Sequence, residues 1–153
     1  LKKNYIAFSY GMPSQNSIDI NKNIIRQKIQ KTKFNVSENE GKNALTKVTN
    51  LRNYFGSISK LNCEIITGRT HQIRVHLTSM GLPIIGDKNY TIDKEQKFKM
   101  KNIPLNIRNF ISFFPRQALH SHEIEFIHPI LKKKIKITCD LPPDMKDLDL
   151  KLQ

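Results

Sequence analysis

The side chains best suited to chemistry are concentrated in one short run, from Gly68 to Leu77. Two arginines, two histidines and a glutamine fall between Arg69 and His76. Guanidinium groups bind carboxylates and phosphates, and an imidazole exchanges a proton near neutral pH. Because charged side chains in such number are not all buried in a core, the run is where we first expect a functional site.

This run is predicted to begin a helix. Thr70 suits the N-cap position, and Gly81 is placed to end the helix. Between them Ile73, Leu77 and Met80 recur at helical spacing, which predicts an apolar stripe that faces the core.

Two polar side chains lie off that stripe. His71 and Arg74 are i,i+3 neighbours on the predicted helix, so they share a face. Gly68 lets the backbone approach a ligand closely, and the start of a helix attracts anions. The pattern alone leaves one alternative open, a basic amphipathic helix that lies on the surface without a ligand.

The histidines do not have the spacing of a metal site. His71 and His76 point in different directions on a helix. His120 and His122 share one face of a strand, but no third ligand is placed beside them. We therefore expect no metal, and no glycine-rich nucleotide loop suggests another cofactor.

The two cysteines and the apolar runs indicate a cellular compartment. Cys63 and Cys139 have no metal-like spacing, and we expect two buried free thiols in a reducing compartment. A disulfide in a secreted protein is the alternative. No apolar run approaches the length of a transmembrane helix. The segment Leu1–Tyr5 lacks the apolar region that a secretory signal contains. We expect no membrane partner and a location in the bacterial cytoplasm or an organelle matrix.

The composition is that of a basic globular chain. Its 153 residues suffice for one domain, and 38% of them are hydrophobic. Lys and Arg number 26 against 13 Asp and Glu, which gives a formal net charge of +13. This charge favours a polyanionic partner such as nucleic acid, with a merely solvated basic surface as the alternative.

The remaining pattern predicts strands around the helix. Strands are expected at residues 4–10, 44–54, 57–66, 117–127 and 132–139, with a helical patch around Phe110, Phe113 and Phe114. Their order predicts an α+β fold with a mixed, mostly antiparallel sheet and flanking helices.

Four segments of the chain resemble the RluA-type RNA pseudouridine synthases. The run from Thr67 to Leu77, with Gly81–Asp87 and Tyr90 after it, is similar to the signature of that family. In chain order, the other similar segments are Lys3-Asn4-Tyr5-Ile6-Ala7, Leu119-His120-Ser121 with Phe126-Ile127-His128-Pro129, and Leu141-Pro142-Pro143-Asp144. The alternative is a generic basic ribosome-associated protein in which the motif is a coincidence.

The resemblance implies isomerisation of uridine to pseudouridine in structured RNA, with ribosomal RNA favoured over transfer RNA. The base leaves the ribose C1′ through nitrogen, rotates and rejoins through C5. A carboxylate acts on the ribose. By resemblance Arg74 pairs with that carboxylate, and Tyr5 lies against the base and removes the C5 proton.

The resemblance also assigns supporting and RNA-binding residues. Support of the active-site helix is assigned to Gly68, Arg69, Thr70, His71 and Gln72. Contact with RNA is assigned to Arg69, Lys88, Lys94, Lys97, Lys99 and Lys101, with Lys132, Lys133 and Lys134 as further candidates. Each of these lysines taken singly is also typical of a solvated surface.

One part of the family pattern is absent. The nucleophile of the family is an Asp in a His-Arg-Leu-Asp segment upstream of the tyrosine motif, and none of the seven Asp residues here has that context. We therefore expect residues 1–145 to be the C-terminal portion of a catalytic domain, monomeric in the full-length enzyme, with a tail at 146–153. A truncated, inactive remnant that binds RNA is the alternative function.

Overall fold

The computed structural model describes residues 1–153 and contains eight strands and four α-helices. The strands are β1 (Lys2–Tyr10), β2 (Ser17–Asn21), β3 (Asn23–Arg26), β4 (Phe34–Ser37), β5 (Leu45–Tyr54), β6 (Ile58–Ile65), β7 (Leu119–Ile127) and β8 (Lys134–Thr138). The helices are α1 (Gln72–Ser79), α2 (Lys94–Lys99), α3 (Leu105–Ser112) and α4 (Pro143–Leu152). A short 3₁₀ turn, Met100–Asn102, follows α2.

Six strands form one antiparallel sheet in the order β2-β5-β6-β1-β7-β8, and β3 and β4 form a separate hairpin. Within the sheet β1 lies between β6 and β7 and pairs antiparallel with both. The strands predicted at residues 44–54 and 57–66 are confirmed as β5 and β6, which pair with each other and turn through Phe55 and Gly56 at positive φ. The predicted α+β class, with a mostly antiparallel sheet and flanking helices, is confirmed.

The two faces of the sheet are covered by different helices. Residues opposite each other in the register share a face, so Tyr5 lies on the same face as Thr46 of β5. This face carries α1, whose Gln72 side chain donates to Thr46. The opposite face carries Phe8 of β1 and is covered by α4, whose Asp149 accepts a hydrogen bond from Lys60 of β6.

The start of α1 differs from the prediction. Thr70 is not the N-cap: the helix begins at Gln72, its N-cap is His71 in the left-handed region (φ 55°), and no side chain caps it. The Oε1 atom of Gln72 instead accepts hydrogen bonds from Arg69 N (3.0 Å) and Thr67 Oγ1 (2.7 Å). A helical side chain thus holds the preceding loop in the place of a cap.

The end of α1 confirms the predicted stop at Gly81, which has a φ of 73°. The N–H of Leu82 donates to Leu77 O (2.9 Å), as in a Schellman motif. Because the chain turns back there, Leu82 is buried. Met80, predicted to belong to the core stripe, is 38% exposed, so that part of the prediction is wrong.

The segment after α1 is attached to the end of β1. Ile85 N donates to Phe8 O and Tyr10 N donates to Pro83 O, both at 2.9 Å. The following Gly86 has a φ of 78°, and a Cβ atom built on it would lie 2.0 Å from Arg116 O. Only glycine fits this path, which delivers Asp87 to the end of the segment.

The residues assigned to a tail belong to α4. Met145, Leu148 and Leu152 lie on one face of this helix and are buried in the main core. On the same helix Asp149 accepts hydrogen bonds from Tyr54 Oη (2.6 Å) and Lys60 Nζ (2.7 Å). Residues 146–152 therefore pack against the sheet with the rest of the chain.

The expected pair of buried thiols is found only in part. Both cysteines are free, but Cys63 is buried on β6 whereas Cys139 is exposed just after β8. Burial raises the pKa of the Cys63 thiol to about 12. None of the helices has the length and the apolar character needed to cross a membrane.

The close approach at Gly86 predicts a large loss of stability for Gly86→Ala. The left-handed backbone and the contact with Arg116 O together cost about 3 kcal/mol of unfolding free energy. Gly81→Ala is the matched control, because Gly81 has a similar φ of 73° with open space around its Cβ position. It is expected to cost about 1 kcal/mol. Urea unfolding of both variants checks this, and equal losses would contradict it.

Candidate active site

A buried ion pair joins α1 to the segment after it. Arg74 Nε donates to Asp87 Oδ2 at 2.6 Å, and Arg74 Nη2 donates to Asp87 Oδ1 at 2.9 Å. The Asp87 side chain has no exposed surface, and that of Arg74 is 13% exposed. This is the bidentate geometry that guanidinium and carboxylate groups favour.

The pair leaves one edge of the guanidinium unused. Arg74 Nη1 has no hydrogen-bond partner in the chain, and it is not among the buried polar atoms that lack one. It therefore retains access to solvent. The sequence assigned Arg74 to a carboxylate outside the chain, whereas the structure shows two of its nitrogens held by Asp87. The third nitrogen is what a further anion could contact.

The environment keeps both members of the pair ionised. Burial opposes ionisation of Asp87, but the Arg74 guanidinium and the N–H groups of Asn89 and Tyr90 hold the pKa of its carboxyl below the usual value. The hydrogen bond to Asp87 raises the pKa of Arg74. Asp87 is thus an enclosed anchor for Arg74, and its oxygens are already occupied.

Tyr90 connects this pair to the start of α1. Its hydroxyl accepts a hydrogen bond from Phe34 N (2.9 Å) and lies 3.1 Å from His71 Nδ1. The Arg74 guanidinium lies 5.0 Å from the centre of the Tyr90 ring, a cation–π contact. Burial, and then the charge of Arg74, lower the pKa of His71.

A buried hydrogen-bond chain ties α1 to β5. Gln72 Nε2 donates to Leu45 O and Thr46 Oγ1, each at 3.0 Å. Thr46 Oγ1 lies 2.9 Å from His76 Nδ1, and His76 Nε2 lies 3.0 Å from Lys22 O. Because a carbonyl oxygen only accepts, the His76 proton is on Nε2, and Nδ1 accepts from Thr46. Both side chains therefore hold α1 against the sheet.

Tyr5 lies on the face of the sheet that α1 covers. It stands opposite Cys63 of β6 and Ser121 of β7, and the pairing with β7 shifts register next to it, between Asn4 and Tyr5. The side chain is half-buried against the main core, and its hydroxyl makes no hydrogen bond within the chain. The phenol is thus free to bond a ligand.

The loop before α1 holds the other predicted supporting residues. Gly68, Arg69 and Thr70 are exposed, and Arg69 Nε donates to Asn43 O at 3.0 Å. Of the five residues predicted to support the helix, the structure places His71 and Gln72 in the network that fixes α1. The other three lie in the exposed loop before α1.

The predicted RNA-binding lysines are exposed and divide into two groups. Lys88 and Lys97 line a cleft of about 480 Å³ together with Asp87 and Thr91. Away from that cleft, Lys99 pairs with Glu95 at 2.7 Å. The other exposed members are Lys94, Lys101, Lys132, Lys133 and Lys134, of which Lys101 lies over the Phe98 ring and Lys134 pairs with Glu125.

Several residues of the site are not predicted from the sequence. Asp87 and Tyr90 belong to the family signature, but the signature does not show that they contact Arg74 and His71. No sequence pattern predicts the roles of Thr46 and Phe34, because their contacts depend on how β4 and β5 pack on α1. No group of three or more His, Cys, Asp or Glu side chains is placed to hold a metal ion.

Comparison with known proteins gives a consistent set of relatives. A family described as RNA pseudouridylate synthase matches residues 1–79. The ribosomal large subunit pseudouridine synthase D of Buchnera aphidicola subsp. Baizongia pistaciae is 37% identical over 147 residues, which are 95% of this chain and 44% of that protein. The protein of the same name in Zymomonas mobilis subsp. mobilis is 33% identical, over 95% of this chain and 43% of its own length.

Solved structures share the fold. Human RNA Pseudouridylate Synthase Domain Containing 1 matches with a TM-score of 0.69 and 24% identity, over 97% of this chain and 58% of that chain. Human RNA Pseudouridylate Synthase Domain Containing 4 matches with a TM-score of 0.71 and 20% identity, over 99% and 62%. The chain spans less than half the length of the curated relatives described above.

The buried His76 predicts a loss of stability in mild acid. Burial lowers the pKa of His76 below 6.5, so the unfolded chain binds a proton more readily than the folded one. The unfolding free energy should therefore fall as the pH decreases below 6.5, and level off once the folded protein is also protonated. Urea unfolding above and below this pH measures the loss.

His76→Gln is the matching variant, because an amide can still donate to Lys22 O and accept from Thr46. The loss should become smaller in this variant, with the remainder due to His71, whose pKa is lowered in the same direction. Asp87 contributes in a lower pH range, because its pKa lies below 3.8. An undiminished loss in His76→Gln would contradict the assignment.

Proposed function

We propose that this chain, which belongs to the RNA pseudouridylate synthase family, carries the arginine and tyrosine of a site that isomerises uridine to pseudouridine in RNA. One observation carries the proposal. Arg74 is fixed by the enclosed Asp87 and keeps one guanidinium edge open, on the helix that covers the same sheet face as Tyr5.

The open edge of Arg74 suits the reacting carboxylate. This carboxylate must stay ionised while the bound uridine screens it from water, and screening raises a carboxyl pKa. A guanidinium in contact opposes that rise. Asp87 holds the planar group in place, so that Nη1 can meet the second carboxylate without reorganisation.

Asp87 is not itself the reacting group in this proposal. Its side chain is enclosed, and its oxygens accept from Arg74 and from two backbone N–H groups. We propose that the carboxylate comes from the part of the relatives that this chain does not cover. Residues 1–153 then form the C-terminal portion of the catalytic domain.

Tyr5 is proposed to contact the base. Its half-buried ring stacks on the uracil, a contact worth roughly 1–3 kcal/mol. Its hydroxyl, which makes no bond within the chain, accepts the C5 proton and passes its own proton to solvent after the base has rotated and rejoined at C5. The C5–C1′ bond replaces the broken N1–C1′ bond, and N1 takes up one proton as C5 loses one, so no cofactor enters this step.

The substrate is proposed to be ribosomal RNA, on the strength of the relatives that are so named. The target uridine must leave its stack to reach the site, at a cost of a few kcal/mol. Lys88 and Lys97 stand on the cleft beside Asp87 and can hold the phosphates of the flipped segment. We place the reaction in the bacterial cytoplasm or an organelle matrix.

The test replaces Tyr5 and Arg74 in the natural polypeptide that contains this chain. Tyr5→Phe and Arg74→Ala should each abolish isomerisation, measured as tritium release from uridine labelled at C5 in a ribosomal RNA transcript. RNA affinity should stay within about tenfold of wild type, or about 1.4 kcal/mol, because phosphate contacts remain.

Two matched controls separate chemistry from folding. Tyr54→Phe removes a hydroxyl on the other face of the sheet, and Arg116→Ala removes an arginine that makes a bidentate pair with Asp144 at 2.8 Å. Both should retain turnover. Near-wild-type turnover in Arg74→Ala would overturn the assignment of Arg74. RNA binding without any tritium release from the wild type would instead indicate the inactive remnant.

A further inference from the structure

A second cleft lies between the β3–β4 hairpin and the Gly68–Thr70 loop, which precedes α1. It measures about 450 Å³. Its lining residues are Ile24, Ile25, Arg26, Phe34, Gly41, Lys42, Gly68, Arg69 and Thr70. The lining thus contains three cationic side chains and no acidic one. We call it the hairpin cleft.

The wall of the hairpin cleft is fixed by backbone contacts. Ile24 and Lys42 exchange two hydrogen bonds of 2.9 Å, which add the residues before β5 to the hairpin. Ile24 is buried in a small cluster with Val75 of α1. Gly41 completes the turn at a φ of 87°, where a Cβ atom would lie 2.4 Å from Ile24 O. The cleft is therefore a formed concavity.

The three cations of the hairpin cleft are not neutralised. Arg26, Lys42 and Arg69 form no ion pair within the chain, although nine ion pairs occur elsewhere. Arg26 lies 5.4 Å from the centre of the Phe34 ring, and Arg69 is oriented by its hydrogen bond to Asn43 O. Three uncompensated positive charges around one cavity attract an anion.

The hairpin cleft shares a wall with the candidate active site. The Phe34 ring contacts His71 edge to face at 5.4 Å, and Phe34 N donates to the Tyr90 hydroxyl. Tyr90 in turn lies against Arg74. Phe34 and Tyr90 would therefore connect an anion in the cleft to Arg74.

We propose that the hairpin cleft binds the phosphodiester backbone of the RNA next to the target uridine, through Arg26, Lys42 and Arg69. This rests on the proposed function, and it adds a second cationic cleft to the one that Lys88 and Lys97 line. Phosphate groups on either side of the uridine are then held while the base is drawn out of its stack.

The test measures the salt dependence of RNA binding by the natural polypeptide that contains this chain. The probe is a uridine-free oligoadenylate, whose affinity is followed by fluorescence anisotropy at several salt concentrations. Arg26→Gln with Lys42→Gln should reduce the slope of log K against log salt by about 1.4, because each phosphate contact with a single strand contributes about 0.7. The matched control is Lys28→Gln with Lys31→Gln, on the same hairpin but outside the cleft lining. It should leave the slope unchanged.

Equal reductions in the two double variants would overturn the proposal, since they would show only an effect of general surface charge.

A second measurement distinguishes this failure from failure of the proposed function. In the same polypeptide, Arg26→Gln with Lys42→Gln should raise KM for the ribosomal RNA transcript and leave kcat unchanged. A fall in kcat at constant KM would also contradict the proposal that the hairpin cleft binds RNA. If the wild type makes no pseudouridine but the slope change occurs, the proposed function fails and the RNA contact stands.

Discussion

The arrangement of the site depends on one ion pair, between Arg74 and Asp87. Two charges removed from water are stable only when they are paired and their remaining bonding groups are satisfied. Here the Asp87 carboxylate accepts from the guanidinium and from the N–H groups of Asn89 and Tyr90. Loss of either partner would leave a buried charge without compensation. The pair therefore sets both the position of Arg74 and the path of the chain after α1.

Each member of the pair is carried by an element attached to the same sheet. Arg74 is on α1, which is tied to β5 through Gln72 and His76. Asp87 ends a segment that bonds to the last residues of β1, and Gly86 permits its close approach to Arg116. Since Tyr5 also lies on β1, one central strand sets the positions of the proposed base contact and of the arginine's anchor.

The sequence predicts the elements of the fold better than their contacts. The residue pattern was enough to predict strands at the positions of β1, β5 and β6. The Leu77-to-Gly81 pattern gave the end of α1. The cap at Thr70 was wrong because a side chain from inside the helix holds the loop: Gln72 Oε1 accepts from Arg69 N and Thr67 Oγ1. The Gln72 side chain is in turn held by β5, a long-range contact that leaves no local signal. Met80 was wrong because the chain reverses at Gly81 and buries the next apolar residue instead.

The site shows the same division. Spacing brings His71 and Arg74 together on one helix face, and the family signature includes Asp87. That Asp87 is the partner of Arg74 depends on the route of the chain across β1, which no residue pattern describes. The packed C-terminal helix was likewise missed, because its three buried positions are separated by charged residues and resemble a solvated tail.

A double-mutant cycle on turnover tests the central pair most directly. The single changes are Arg74→Lys and Asp87→Asn, made separately and together in the natural polypeptide, with kcat for pseudouridine formation as the readout. If Asp87 acts by orienting Arg74, the double variant should be no slower than the slower single variant. The coupling energy should then exceed about 1 kcal/mol. Losses that simply add in free energy would show that the two residues act independently and would contradict this account.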